Sequence, residues 1–137
     1  MPELPEVEVV RRGIEPYTQG WVIEKVTVYD PRSLRRHDGP EEDFTHRLTG
    51  RTLQGAVRRG KFLWMPIGDE EAVVCHLGMS GQVLLGDHPD QFGPLLRVAL
   101  ELRGPGGEGM VWGFVDQRLF GSLAIDRLVD SGDQAPA

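Results

Sequence analysis

From residue 52 to residue 125 the sequence is a succession of short apolar runs, each closed by a cluster rich in glycine, proline or acidic residues. That punctuation leaves room for little but an antiparallel β fold. "TLQGAVRRGKFLWMPI" (52–67) and "AVVCHLG" (72–78) are separated by the turn-like "GDEE", and "QVLL" follows "MSG". "LLRVALEL" (95–102) alternates before the turn "RGPGGEG", and "MVWGFVD" (110–116) runs on to "RLFGSLAI" (118–125). "WVIEKVTVYD" (21–30) is an earlier β-branched run. The pattern predicts about eight short strands in an antiparallel β-sandwich or flattened barrel, mainly β with flanking helices.

Two helices are expected ahead of most of the strands. Over residues 5–18, Val7, Val10, Ile14 and Tyr17 form one apolar stripe at helical period, with Gly13 and Pro16 weakening its far end. "PEEDFTHRLTG" (40–50) fits a second, short helix with an acidic start and Gly50 as its stop, and "PRSLRRHDG" before it reads as a basic loop. At 137 residues the chain is expected to hold one domain with a real core. No run approaches the ~18 apolar residues of a membrane span, and the acidic start lacks the apolar stretch of a secretory signal. One cysteine, Cys75, excludes an internal disulfide and a multi-cysteine zinc site built from this sequence. A cytoplasmic monomer without a membrane or metal partner is expected.

The net charge of −6 argues mildly against a polyanionic ligand, but its distribution is uneven. Residues 1–64 carry 11 basic and 10 acidic side chains, a net of +1, whereas residues 65–137 carry 4 and 11, a net of −7. The basic residues cluster as Arg11-Arg12, Arg32 with Arg35-Arg36, and Arg58-Arg59 with Lys61. Such clusters permit phosphate binding and equally suit a solvated charged face. A phosphate loop of the G-x-x-x-x-G-K-[ST] type and an H-E-x-x-H metal pair are absent, and the histidines at 37, 46, 76 and 88 show no ligand spacing. "GMSGQ" carries Gln82 where a nucleophile elbow needs glycine.

The opening "MPELPEVEVVRRG" has two readings. Proline and glutamates suit a helix start as simple punctuation. Alternatively, removal of Met1 would leave Pro2 with a free secondary amine. An α-amino group titrates near ~7.7–8.0, so an appreciable fraction is neutral and nucleophilic at neutral pH, whereas an unperturbed lysine titrates near ~10.4. Amines attack carbonyl-like carbons, and a secondary amine yields a cationic iminium directly. Glu3 beside it and Glu6 one turn on would supply carboxyls for proton transfer and orientation.

"MPELPEVE…RRG", "RRGKFL", "HLGMSG" and "DQRLFG", in that order, together resemble the N-terminal catalytic domain of the formamidopyrimidine-DNA glycosylase/endonuclease VIII family, over residues 1–125. The resemblance implies a base-excision repair enzyme acting on duplex DNA that contains oxidised bases or abasic sites. Such an enzyme flips the damaged base out, cleaves its glycosidic bond and cuts the strand by β- and δ-elimination. By the same resemblance Pro2 is the nucleophile, Glu3 the general acid at the sugar ring oxygen and Glu6 a supporting carboxylate. Lys61 contacts phosphate and donates a proton during β-elimination. His76 contacts DNA, while Met79, Arg118 and Phe120 fill the hole left by the flipped nucleotide. The motifs look more like the branch acting on oxidised purines than the branch acting on oxidised pyrimidines.

The sequence also departs from the family pattern. The usual D-P-R-R-F-G reads Asp116-Gln117-Arg118-Leu119-Phe120-Gly121, and Leu95 stands where a phosphate-touching histidine often precedes the "LRV" strand. Residues 126–137 read as a linker or disordered tail. The helix–two-turn–helix and zinc-finger domains of the family lie beyond this sequence, so no cofactor is expected in it and its own grip on DNA should be weak. A non-catalytic nucleic-acid-binding or protein-interaction module on the same fold is the alternative. Intact Pro2, Glu3, Glu6 and Lys61 oppose that alternative; the lost phosphate contacts favour it.

Overall fold

A computed structural model describes residues 4–59, 62–68, 70–78, 80–119 and 121–128. Helix α1 (Leu4–Ile14) is followed by a 3-10 turn over residues 15–17. Pro16 brings no N–H to a continuing α-helix, so the chain tightens and the Thr18 N–H closes on the Glu15 carbonyl at 3.1 Å. Ile14 is buried, Val10 is partly buried against the core, and Tyr17 stands edge-on to Trp21 with ring centroids 5.5 Å apart. Helix α2 (Glu41–Leu48) buries Phe44 and Leu48, its two apolar positions one turn apart.

Among the described residues, nine strands follow the sequence pattern closely: β1 (Gln19–Val28), β2 (Thr52–Gln54), β3 (Val57–Arg59), β4 (Phe62–Pro66), β5 (Glu71–His76), β6 (Gly81–Gly86), β7 (Leu96–Arg103), β8 (Gly109–Asp116) and β9 (Ser122–Arg127). They form two antiparallel sheets, one ordered β2-β1-β7-β8-β6 and the other β3-β4-β5-β9. The sheets are not closed on one another, so the flattened barrel does not form and the sandwich does. The stretch 52–67, read as one run, holds three strands among the described residues, β2, β3 and β4, and Gly55, with a positive φ of 115°, lies in the break between the first two. The basic loop holds a 3-10 turn over Pro31–Leu34, and a further 3-10 turn spans Pro89–Phe92 with His88 capping it.

One apolar core lies between the sheets. Ile23, Val98, Leu100, Leu102, Trp112 and Phe114 from the five-stranded sheet meet Leu63, Met65, Val73, Cys75, Leu123 and Ile125 from the four-stranded one. The alternation in β7 and β8 decides this, since every second residue faces inward. Burial pushes the Cys75 thiol well above its ordinary range, with the Asp116 charge adding to the effect, so this thiol stays protonated and inert. His37, also inside, accepts the Ile125 N–H on Nδ1 at 3.1 Å and donates from Nε2 to Asp43 at 2.8 Å. It thereby ties the basic loop to both β9 and α2.

Candidate functional site

Strand register gathers three of the sequence motifs at one end of the four-stranded sheet. Arg59 pairs with Phe62, Phe62 with His76, and His76 with Ser122, so one transverse row crosses all four strands. The "RRGK" connection leaves this row from β3 to β4, "HLGMSG" leaves it from β5, and "RLFG" enters it at β9. Phe62 is exposed, and its ring lies 4.8 Å from the His76 ring.

The two remaining loops are brought side by side by topology. Residues 77–80 join β5 to β6 and residues 117–121 join β8 to β9, so both cross from one sheet to the other. Because β5 pairs with β9 and β6 with β8, the crossings are neighbours. Their backbones touch: a methyl group placed on Gly121 would stand 2.6 Å from the His76 carbonyl oxygen and 2.9 Å from that of Leu77. Asp116, wholly buried at the end of β8, lies between the loops. Its Oδ1 accepts the Ser80 hydroxyl at 2.6 Å and the Arg118 N–H at 3.3 Å, while Oδ2 accepts the Gly121 N–H at 2.8 Å. From the other side, Arg35 Nη1 donates to the carbonyls of Leu119 at 2.9 Å and Gly121 at 2.8 Å. Leu119 has a φ of 59°, a left-handed conformation that a leucine adopts only where its surroundings impose it.

Helix α1 is fastened to this end of the molecule by Glu8. Its carboxylate accepts Arg58 Nε at 3.0 Å, Arg11 at 2.8 and 2.9 Å, and Arg12 at 3.0 Å. Arg58 precedes the transverse row by one residue, and Leu4 lies one turn, about 6 Å, along the helix from Glu8. The hydrogen bonds from Arg11 and then Arg58 hold the Glu8 carboxyl at about 2 instead of the usual 4.5. Arg32 likewise holds Asp30 at about 2 instead of 3.8. Carboxyls depressed by folding stabilise the fold above their unfolded pKa, and that contribution is lost as pH falls through the folded value. The melting temperature is therefore expected to fall between pH 4.5 and 2. Glu8→Gln should flatten part of that fall when melts are recorded from pH 6 to pH 2.

Of the residues singled out in the sequence, Pro2, Glu3, Lys61, Met79 and Phe120 lie outside the described residues, and Glu6 falls within α1. His76 and Arg118 are described: His76 is half-buried in the transverse row and Arg118 is exposed beside Ser80. Leu95 is exposed at the edge of the same region, its carbonyl accepting the Asp116 N–H at 3.1 Å. Among the described residues no group of three His, Cys, Asp or Glu is placed to hold a metal ion, and no helix is long and apolar enough to cross a membrane.

Residues 1–123 match the family model described as formamidopyrimidine-DNA glycosylase N-terminal domain. The chain belongs to the formamidopyrimidine-DNA glycosylase family. Its relatives include the formamidopyrimidine-DNA glycosylases of Leifsonia xyli, 52% identical over all of this chain and 47% of the relative, and of Mycolicibacterium gilvum, 48% identical over all of this chain and 47% of the relative. The chain thus spans about half the length of the curated relatives it matches. Among solved structures, the Lactococcus lactis glycosylase bound non-covalently to DNA containing an abasic site superposes with a TM-score of 0.79 at 31% identity, over 92% of this chain and 45% of that one. A complex of a protein abbreviated LlFpg with THF-DNA and an inhibitor gives the same TM-score at 32% identity, over 92% of this chain and 44% of that one. In this member of the glycosylase family the residues missed by sequence reasoning are Asp116, Ser80 and Arg35. Asp116 did carry a signal: it continues the inward stripe of Trp112 and Phe114 at period two, where a carboxylate needs a reason.

Proposed function

We propose that this chain carries the chemical steps of a DNA glycosylase that also cuts at abasic sites, and that residues 1–125 are its catalytic domain. The single observation that carries the reading is the transverse row. It sets Arg59, Phe62, His76 and Ser122, the described residues that border the "RRGK", "HLGMSG" and "RLFG" motifs, across one end of the sheet, against which Glu8 and Arg58 fasten the N-terminal helix.

In this reading, loss of Met1 frees the Pro2 amine. Its nitrogen lone pair bonds to the sugar C1′ as the glycosidic bond breaks, and the damaged base leaves with the proton the amine gives up. Glu3, supported by Glu6, then protonates the ring oxygen and the C1′–O4′ bond breaks, opening the sugar. The resulting iminium makes the C2′ proton acidic; that proton departs and the C3′–O bond breaks, releasing the 3′ phosphate. Lys61 contacts a phosphate and supplies a proton in this elimination, and a second elimination at C4′ breaks the C5′–O bond. His76 contacts the DNA, while Met79, Arg118 and Phe120 occupy the space vacated by the flipped nucleotide. Extrusion costs a few kcal/mol of stacking, which inserted apolar side chains and an arginine facing the orphaned base partly offset. The substrate is duplex DNA containing oxidised purines or abasic sites, met by a monomer on the nucleoid of a bacterial cytoplasm. No cofactor is assigned to this chain in the reading, and its one cysteine, Cys75, is buried in the core.

The test is covalent. Protein freed of Met1 is mixed at low salt with a duplex containing one abasic site, and borohydride is added. A reduced adduct that peptide mapping places on Pro2 is the expected result. Its absence at high protein concentration would overturn autonomous lyase chemistry and favour the non-catalytic binding module.

A further inference from the structure

We propose that the Asp116 carboxylate is a positioning group that locks the two inter-sheet loops, 77–80 and 117–121, into one unit that enters DNA together. The proposal rests on the glycosylase reading for what the loops do, and on geometry for the lock itself.

A carboxylate with no solvent exposure is costly unless its oxygens are satisfied, and here each oxygen is assigned to a purpose. Oδ1 reaches across to Ser80, the residue following position 79, and also takes the Arg118 N–H. Oδ2 takes the Gly121 N–H, the residue following position 120. The Ser80 oxygen itself accepts the Arg118 N–H at 3.2 Å, so the two loops share a closed set of hydrogen bonds. The main chain of Asp116 is held as firmly, its N–H by the Leu95 carbonyl and its carbonyl by Arg97 Nε at 2.8 Å. Arg35 completes the arrangement by gripping the carbonyls on either side of position 120.

A carboxylate fits this role and an amide does not. Two acceptor oxygens serve two loops, whereas asparagine offers one acceptor and would turn an NH₂ group toward a donor. The gain is preorganisation. Side chains delivered from loops already fixed relative to each other lose little freedom on entering the stack, whereas loops that move independently would have to be ordered on binding. The lock should therefore matter only where there is a stack to enter. In a single strand no opposite base is orphaned and no hole is filled.

Asp116→Asn and Ser80→Ala separate these cases. Each is compared with the parent chain on an abasic site in duplex DNA and on the same oligonucleotide single-stranded. The readouts are borohydride trapping and the fluorescence of 2-aminopurine placed opposite the abasic site. For Asp116→Asn, loss of a buried charged hydrogen bond should weaken duplex trapping and the 2-aminopurine response about tenfold, with single-strand trapping essentially unchanged. Ser80→Ala should shift the same way by a smaller factor. It decides the matter alone if Asp116→Asn fails to fold, as its melting curve will show. Equal losses on duplex and single strand, or no loss on duplex for either variant, would overturn the proposal. If the parent forms no adduct, the glycosylase reading fails instead. The 2-aminopurine response, which needs no chemistry, then still decides: lost in the variants it supports the lock, and unchanged it overturns it.

Discussion

Gly121→Ala is expected to destabilise the chain by about 3 kcal/mol, at the upper end of what overpacking a tight interior costs. For a chain of this size that corresponds to a melting temperature lower by about 10 °C. The reason is where the added methyl would go. It would meet the His76 and Leu77 carbonyl oxygens at 2.6 and 2.9 Å and the Phe114 ring at 2.8 Å. Two of those neighbours are backbone atoms of β5 and its exit, pinned by pairing with β4 and β9, and a backbone cannot swing aside as a flexible side-chain end can. The loops would have to separate, which opens the Asp116 hydrogen bond to the Gly121 N–H and the Arg35 grip on its carbonyl at once. Gly13→Ala is the control. Its methyl would meet nothing within 4 Å on α1, and alanine is the better helix former, so a gain of about 0.5–1 kcal/mol is expected there. Urea melts of the two variants against the parent measure both. A Gly121→Ala chain as stable as the parent would mean that the loops do not touch as described.

Much of this architecture was legible from local pattern, because local pattern is what strands and helices obey. The alternation in "LLRVALEL" and "MVWGFVD" assigns the inward faces of β7 and β8 without reference to anything distant. Phe44 and Leu48 likewise mark the buried face of α2, and Gly50, with a φ of 89°, does stand just past its end. Closure was not legible. Whether two sheets join into a barrel depends on whether edge strands such as β2 and β3 find partners across the gap, and no short run of residues encodes that. Buried polar residues were hidden for the same reason. Arg35 meets Leu119 and Gly121 from 84 and 86 positions away, and His37 meets the Ile125 N–H from 88. In the sequence "PRSLRRHDG" is merely basic and polar. Only the long-range pairing of β5 with β9 turns Arg35 into a clamp and His37 into a buried tie.

The family motifs were legible because each is a compact string, but the strings do not say how they cooperate. The cooperation comes from two crossings that leave one sheet and enter the other at the same end, which is a property of strand order. Asp116 sits where those crossings meet, with Oδ1 bonded to both loops and Oδ2 to the second. Loss of the second arginine to Leu119 is then easier to accommodate. The loop is held through backbone N–H and carbonyl groups, which any side chain provides, at the cost of placing Leu119 in a left-handed conformation.

A chain that keeps Met1 is expected to lose borohydride trapping to background while its melting curve and its affinity for abasic duplex stay close to those of the processed chain. Acylation by Met1 turns the Pro2 nitrogen into a tertiary amide, whose lone pair is delocalised into the carbonyl and no longer attacks carbon. The same comparison separates the two amines that the reading involves. An α-amino group near ~8 and an unperturbed lysine near ~10.4 become nucleophilic in different ranges of pH. Trapping by Pro2 should rise with pH, reach half its plateau near pH ~8 and then level, because the neutral fraction saturates there. Trapping by Lys61 would keep rising toward pH ~10 and would survive retention of Met1. A processed chain and a Met1-retaining chain, each assayed from about pH 6 to about pH 10 on the same abasic duplex, therefore test one nitrogen in two independent ways. Loss with Met1 and a plateau above pH ~8 assign the covalent step to the terminus. An adduct that peptide mapping places on Lys61 in both chains would remove Pro2 from the mechanism and leave the helix start as the punctuation its residues also suit.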